Sequence, residues 1–404
     1  MPTPAAKPQL KQVLSTPVLV LYGLGNILGA GIYVLVGKVA GAAGMHAPFA
    51  FLIAMVIAAL TAFSYMELSS RYPQSAGSAL YVYNAFRRRW LSTIIGLSML
   101  FAGISSAAAL SQGFAGYLGQ LWAVPALAAS VGILLLLTMV ALIGIGQSAT
   151  VAVVFTIIEA VGLLSIIFFG WSLLADLPVE QIVTIDPLVG VGDILAGAFL
   201  AFYAFIGFED MVNVAEEAKD PQRSMPRAIL WSLILATVLY MLIVLVCVSA
   251  VGARELGTSP APLSLVLQRI SSIDPMYISL IGMVAALNGI IVQLIMGSRI
   301  LYGMASQGWI PKVFATVGAR RQVPVIATLT VSGLMILGTI LLPLLSLAKV
   351  TSYLALSIFV LVNLSLVIVK LRRDKAGKIL QVPLVLPILG TLTAAAMLVY
   401  QIFA

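Results

Sequence analysis

The sequence predicts an all-α integral membrane protein of about eleven transmembrane helices. Three observations carry the prediction: 61% of the 404 residues are hydrophobic, only 9% are charged, and the mean hydropathy is +1.12. A soluble domain carries roughly 25% charged residues. This chain cannot clothe a water-facing surface, and lipid takes the place of water as its solvent. The lone cysteine, Cys247, excludes an internal disulfide or thiolate cluster, and the lone histidine, His46, excludes a His-based zinc site or a Ser-His-Asp triad. No metal, cofactor or enzymatic chemistry is expected.

A helix needs about 20 mainly apolar residues to cross a hydrocarbon core of ~30 Å. Eleven segments meet that requirement: 14–43, 48–70, 91–118, 125–145, 149–174, 193–215, 228–251, 276–304, 324–345, 349–369 and 383–403. Residues 1–13 read as a cytoplasmic tail, and the apolar run after them is too long for the core of a cleavable signal peptide. Between 90 and 158 there is no charge, so that stretch holds two whole spans and the start of a third, punctuated at 122–125 and 144–148. With the N-terminus in the cytoplasm, 18 of the 22 basic residues fall on the cytoplasmic side, against Lys38, Arg254, Arg269 and Lys349 outside. The net charge of +8 is therefore topological, and no nucleic-acid partner is expected. All five tryptophans fall at or beyond span ends, at headgroup level. An odd number of spans places the C-terminus outside.

Irregular backbone at membrane depth survives only where protein or a cavity satisfies it. The first span holds Gly23, Gly25, Asn26, Gly29 and Gly31. Packing through Gly25 and Gly29 as a small-xxx-small pair is one reading, and an unwound helix is the other. The sixth span carries Gly207 beside Glu209 and Asp210. If spans one to five (14–174) and six to ten (193–369) form two repeats, with 383–403 peripheral, the two interruptions occupy equivalent positions. Paired interruptions of that kind point to the midplane binding site of a secondary transporter.

The residues then become recognisable. LGAGIYVL at 28–35 resembles the signature of the amino acid-polyamine-organocation permeases, especially their cationic amino acid transporter branch. YMELS at 65–69, PQSAGSALY at 73–81, FIGFE at 205–209 with AEEAKDP at 215–221 and Pro226, and Asn288 with GSRILYGMA at 297–305 to Gly308 and Pro311 are similar to further motifs of that family, in order. The likeness covers roughly residues 15–330. Family members usually have twelve helices, where this chain has eleven. The resemblance implies the LeuT-type inverted-repeat fold, with helices one and six discontinuous, and alternating access for amino acids in a cell membrane.

A zwitterion suits such a site without charged side chains. Unwinding at 29–31 frees the N–H groups of Ala30, Gly31 and Ile32 at the positive end of a half-helix, where a carboxylate binds. Carbonyls freed at Asn26 and Ile27, and at Tyr203, Ala204 and Phe205 next to Ile206, face the ammonium. Tyr203 and Phe205 are candidate aromatic gates. Ser105, Ser106 and Asn288 either line the side-chain pocket or serve ordinary helix packing, while Phe202 and Phe208 read as core or lipid contacts.

An ionisable residue at membrane depth is a functional candidate, because burying its charge is costly. Glu159 lies about ten residues, or ~15 Å, into span five. The resemblance implies a lysine at this position in many relatives, standing where sodium binds in sodium-coupled ones. Glutamate here suggests a proton site, with sodium as the open alternative; a neutral Glu159 bonded to span one or eight is the other reading. Glu209 is a second proton-site candidate. Glu67 and Arg71, spaced i, i+4, read as a gating or structural pair, Arg299 as structural, and His46 as surface.

With no mid-depth carboxylate on spans three, eight or ten, neutral amino acids are the expected substrates. A cationic amino acid or polyamine transporter of the same fold is the alternative. A non-transporting amino-acid sensor is the alternative of another class, for which a long soluble signalling tail would be the mark. The bilayer and the substrate are the partners expected; the sequence names no protein partner.

Overall fold

The computed structural model describes residues 14–74, 77–143, 149–177, 179–184, 190–306, 308–317, 323–372 and 379–403. The expected tail at 1–13, the punctuation at 144–148 and the basic residues Arg320, Arg321, Arg373, Lys375 and Lys378 lie outside them. The described chain is helical, with no strand beyond one backbone bridge between Leu14 and Ala218.

In order, the helices are α1 (Thr16–Ala43), α2 (Ala47–Arg71), α3 (Gly77–Phe86), α4 (Arg89–Leu118), α5 (Ala126–Ile143), α6 (Ala149–Phe169), α7 (Trp171–Ala175), α8 (Val179–Val183), α9 (Val191–Phe205), α10 (Pro221–Ala250), α11 (Ala253–Thr258), α12 (Pro262–Ile270), α13 (Met276–Ser306), α14 (Val325–Leu341), α15 (Leu344–Leu371) and α16 (Val385–Phe403). Proline opens α1, α2, α10 and α12 in the first turn, where its missing N–H costs nothing. Nine described stretches are long and apolar enough to cross a membrane, one of them running from Gly31 through α2 to Arg71, and two shorter apolar helices, Thr16–Gly29 and Val325–Leu341, join them. Every expected span is found. The short α3, α7, α8, α11 and α12 were not foreseen, being too brief for hydropathy to register.

Lipid takes the outside. Leu135, Leu136 and Met139 of α5, Phe168 of α6, Leu337 and Ile340 of α14 and Val399 and Ile402 of α16 are all exposed. At the centre α1 and α9 pack on each other, and each is mostly buried beyond its first turns. With no water to favour helix association in lipid, small residues and interhelical hydrogen bonds hold the bundle. Asn363 of α15 donates to Thr61 at 2.8 Å and accepts from Ser64 at 2.6 Å, both on α2. Gly390 of α16 lies against its amide so closely that a Cβ there would stand 2.8 Å from Oδ1.

The same three elements meet again at the end of the bundle that carries Arg71 and Lys370. Fully buried Glu67 pairs with Arg71 at 2.7 Å and Lys370 at 2.8 Å, and accepts the Val382 N–H at 2.8 Å. The i, i+4 pair read from the sequence is thus half of a cluster joining α2 and α15 to the segment before α16. His46, expected at the surface, is 1% exposed, with Nδ1 2.9 Å from the Ile182 carbonyl of α8. The α8 contact covers the ring, and no local pattern announces a partner 136 residues away.

Candidate functional site

Both central helices are broken, and the breaks touch. Within α1 only Gly29 leaves helical geometry, at φ 26° and ψ −162°, a region open to glycine. Helical geometry resumes directly after Gly29, so the N–H groups of Ala30, Gly31 and Ile32 lie at the start of the second half-helix. In the sixth span α9 stops at Phe205, Ile206 is extended, Gly207 takes φ 130°, and a 3₁₀ helix runs over Phe208–Glu217. A Cβ on Gly207 would lie 2.3 Å from the carbonyl oxygen of Asn26, and one on Gly31 would lie 3.0 Å from the Ala204 Cα. Two glycines thus let the interrupted backbones cross at van der Waals contact; Gly25 lies against Thr156 of α6 and Gly29 against nothing within 4 Å, so those two do not form a small-xxx-small seam.

The carbonyls exposed by these breaks meet a residue that sequence reasoning missed. The hydroxyl of Tyr240 on α10 lies 2.7 Å from the Ile27 carbonyl and 2.9 Å from that of Ala204. Its ring packs edge-on against Phe205 and Phe51. Phe205 is 1% exposed within this aromatic group and does not line the cavity, which removes its side chain as a gate. The Tyr203 carbonyl, also among those expected to be freed, accepts the Ile206 N–H at 3.2 Å. The Tyr203 hydroxyl is 2.9 Å from Ser106 Oγ.

Next to the α9 break is a small cavity of about 30 Å³, the space of one or two water molecules. Ser106, Ile206, Glu209, Asp210, Gln293 and Phe359 are among its walls, and the rest is mostly methionine, alanine and isoleucine. Glu209 folds back to accept the Gly207 N–H at 2.8 Å, so the carboxylate caps its own helix break. Asp210 accepts from Gln293 of α13 at 3.4 Å. Ser105 faces away, donating to the Leu347 carbonyl of α15 at 3.1 Å. One residue is a 100° turn on a helix, so only one of Ser105 and Ser106 can face the cavity. Phe202 and Phe208 stack around Phe359, Phe208 also meeting Tyr65, and are fully buried as core.

Asp210 also borders a second, larger space. A vestibule of about 990 Å³ opens at the basic end of the bundle between α3, α4, α13 and the 3₁₀ helix, with Tyr22, Tyr83, Arg89 and Arg299 on its walls. Met99, Asp210 and Met296 line both spaces, so only a few side chains separate the breaks from the basic end.

Glu159 lies elsewhere, on α6 and fully buried. Asn288 of α13 donates to Oε1 at 2.9 Å, and Oε2 is buried without a partner. Tyr33, in the second half of α1, donates to the Glu159 carbonyl at 2.6 Å, and Tyr117 of α4 donates to the Tyr33 carbonyl at 2.6 Å. Asn288 therefore belongs to the Glu159 group, not to the cavity. Glu67 and Arg71 stand apart from both, in the cluster with Lys370.

Residues 14–404 match the amino acid permease family. The chain is 31% identical to the mouse "Cationic amino acid transporter 4" over 90% of this chain and 60% of that one. It is 33% identical to the Arabidopsis thaliana "Cationic amino acid transporter 3, mitochondrial" over 90% of this chain and 63% of that one. Against the "Branched-chain amino acid permease BcaP" of Bacillus subtilis (strain 168) the identity is 27%, over 93% and 84% respectively. The chain thus spans about 60% of the length of the cationic transporters that it matches.

Proposed function

This chain belongs to the amino acid permease family, and on that premise we propose that it is a secondary transporter moving amino acids across a cell membrane by alternating access. One observation carries the reading: helices α1 and α9 are interrupted at Gly29 and Gly207, and the interruptions touch. In this reading 14–174 and 193–369 are the two inverted repeats. The N–H groups of Ala30, Gly31 and Ile32 hold the substrate carboxylate. Its ammonium takes the carbonyl side, at Asn26, Ile27 and Ala204, where Tyr240 now donates. With the basic end cytoplasmic by the positive-inside rule, the open vestibule makes this an inward-facing form.

The substrate is a neutral amino acid. Both carboxylates in the cavity wall already accept hydrogen bonds, Glu209 from Gly207 and Asp210 from Gln293, and the remaining wall is largely apolar. A cationic substrate is the second reading, favoured by the presence of those same two carboxylates and by the names of the mammalian and plant relatives. Uptake is coupled to protons, carried by Glu159 and Glu209; the partnerless Oε2 of Glu159 supports that role. Sodium coupling through the same position is the alternative.

Counterflow in proteoliposomes tests the whole reading. Purified protein loaded with unlabelled amino acid should accumulate labelled alanine or leucine, with lysine and arginine competing poorly at two pH values. Dominant competition by lysine would shift the substrate to the cationic class. Binding without counterflow would make the protein a sensor.

A further inference from the structure

Arg299 enters the inner vestibule from α13, is exposed there, and makes no ion pair among the described residues. The fork of its guanidinium is thus available in a space of about 990 Å³. Arg89, Asp210, Glu217 and Tyr22 line the same space as Arg299, so cations and anions share its walls. Asp210 borders both this vestibule and the small cavity at the α9 break. That wall offers a fixed positive group and fixed negative groups at the same place, which is the complement of a zwitterion. At the end of span eight Arg299 reads from the sequence as structural, yet no ion pair among the described residues accounts for its charge.

We propose that the vestibule holds a second, inner binding station for the amino acid, with Arg299 receiving the carboxylate and Asp210 the ammonium. This proposal rests on the transport reading above. A guanidinium suits the task because its planar fork donates to both carboxylate oxygens at once, a geometry that lysine cannot reproduce. Asp210, bordering both spaces, takes over the ammonium from the Asn26, Ile27 and Ala204 carbonyls as the carboxylate passes from the N–H groups of the α1 break to Arg299. The station is weak by construction, since the open vestibule is wet and exposed ion pairs gain little.

The test compares Michaelis constants on the two sides of the membrane in oriented proteoliposomes. Radiolabelled L-alanine, L-leucine and L-lysine are the probes, with the best transported of the three used for kinetics. Arg299→Gln should raise the inner KM about three- to fivefold relative to the outer KM, the scale of one exposed charge pair. Arg299→Lys, which keeps the charge but loses the fork, should fall between the two. Thermal melting of each purified variant separates this effect from loss of fold. An unchanged ratio of inner to outer KM in Arg299→Gln overturns the proposal and leaves the transport reading standing. Absence of transport of all three amino acids by the wild type overturns both.

Discussion

The hydroxyl of Tyr240 lies 2.7 Å from the carbonyl of Ile27, across 213 residues of sequence. With the Ala204 carbonyl at 2.9 Å, one O–H group serves acceptors from both interrupted helices. An unmade hydrogen bond in hydrocarbon is costly, so this tyrosine stabilises a break that would otherwise carry exposed dipoles.

Tyr240→Phe therefore leaves those carbonyls without the hydroxyl. We expect a loss of about 1 kcal/mol, within the range for membrane side-chain hydrogen bonds, read as a lower melting temperature in detergent. If a substrate ammonium takes over the same carbonyls, saturating substrate should stabilise Tyr240→Phe more than the wild type. Equal thermal shifts in the two proteins would sever Tyr240 from the substrate site.

The two break glycines should respond differently to alanine. At Gly207 a Cβ meets the Asn26 carbonyl at 2.3 Å, and the φ of 130° suits glycine. Gly207→Ala is expected to abolish counterflow and to lower stability sharply, because neither backbone can retreat. A Cβ at Gly29 meets nothing within 4 Å, leaving only the cost of a backbone conformation that residues with a Cβ avoid, about 1–3 kcal/mol. Gly29→Ala should thus remain folded and measurably active; the reverse ranking would contradict the crossing geometry.

Glu159→Gln preserves shape and can still accept from Asn288, but it cannot release a proton. Counterflow, which needs no net proton movement, should survive, while uptake driven by an imposed pH gradient should fall to the level of protein-free liposomes. Unaltered gradient-driven uptake would remove Glu159 from the coupling role and leave Glu209 to be tested in the same way.

Glu67→Gln removes the carboxylate that both Arg71, 8% exposed, and Lys370, 14% exposed, pair with. Breaking a buried ion pair from one side costs about 3–5 kcal/mol, so the melting temperature should drop markedly. Adding Lys370→Met should restore part of the loss, because one stranded charge is then gone. Additive losses in the double variant would mean that Glu67 and Lys370 do not interact in the folded protein.

Much of the site was legible where the cause is local. The glycines at 29 and 207 showed as breaks because glycine admits backbone that other residues avoid, and Glu159 stood out because a carboxylate in an apolar run is rare. What stayed hidden depends on which way each helix faces. The sequence offers Ser105 and Ser106 alike for the pocket and only Ser106 lines it, a choice set by 100° of rotation. The ring of Phe205 was read as a gate and packs instead on Tyr240.

The chain by itself determined the solvent, the spans and the two weak points in the backbone, all of which follow from composition and conformational freedom within a few residues. Only the tertiary structure decided the partners: Tyr240 for the freed carbonyls, Gln293 for Asp210, Asn288 for Glu159 and Lys370 for Glu67. Each of those contacts spans tens to hundreds of residues. In lipid, helices associate through packing and hydrogen bonds between particular faces, and which faces meet is a property of the assembled bundle.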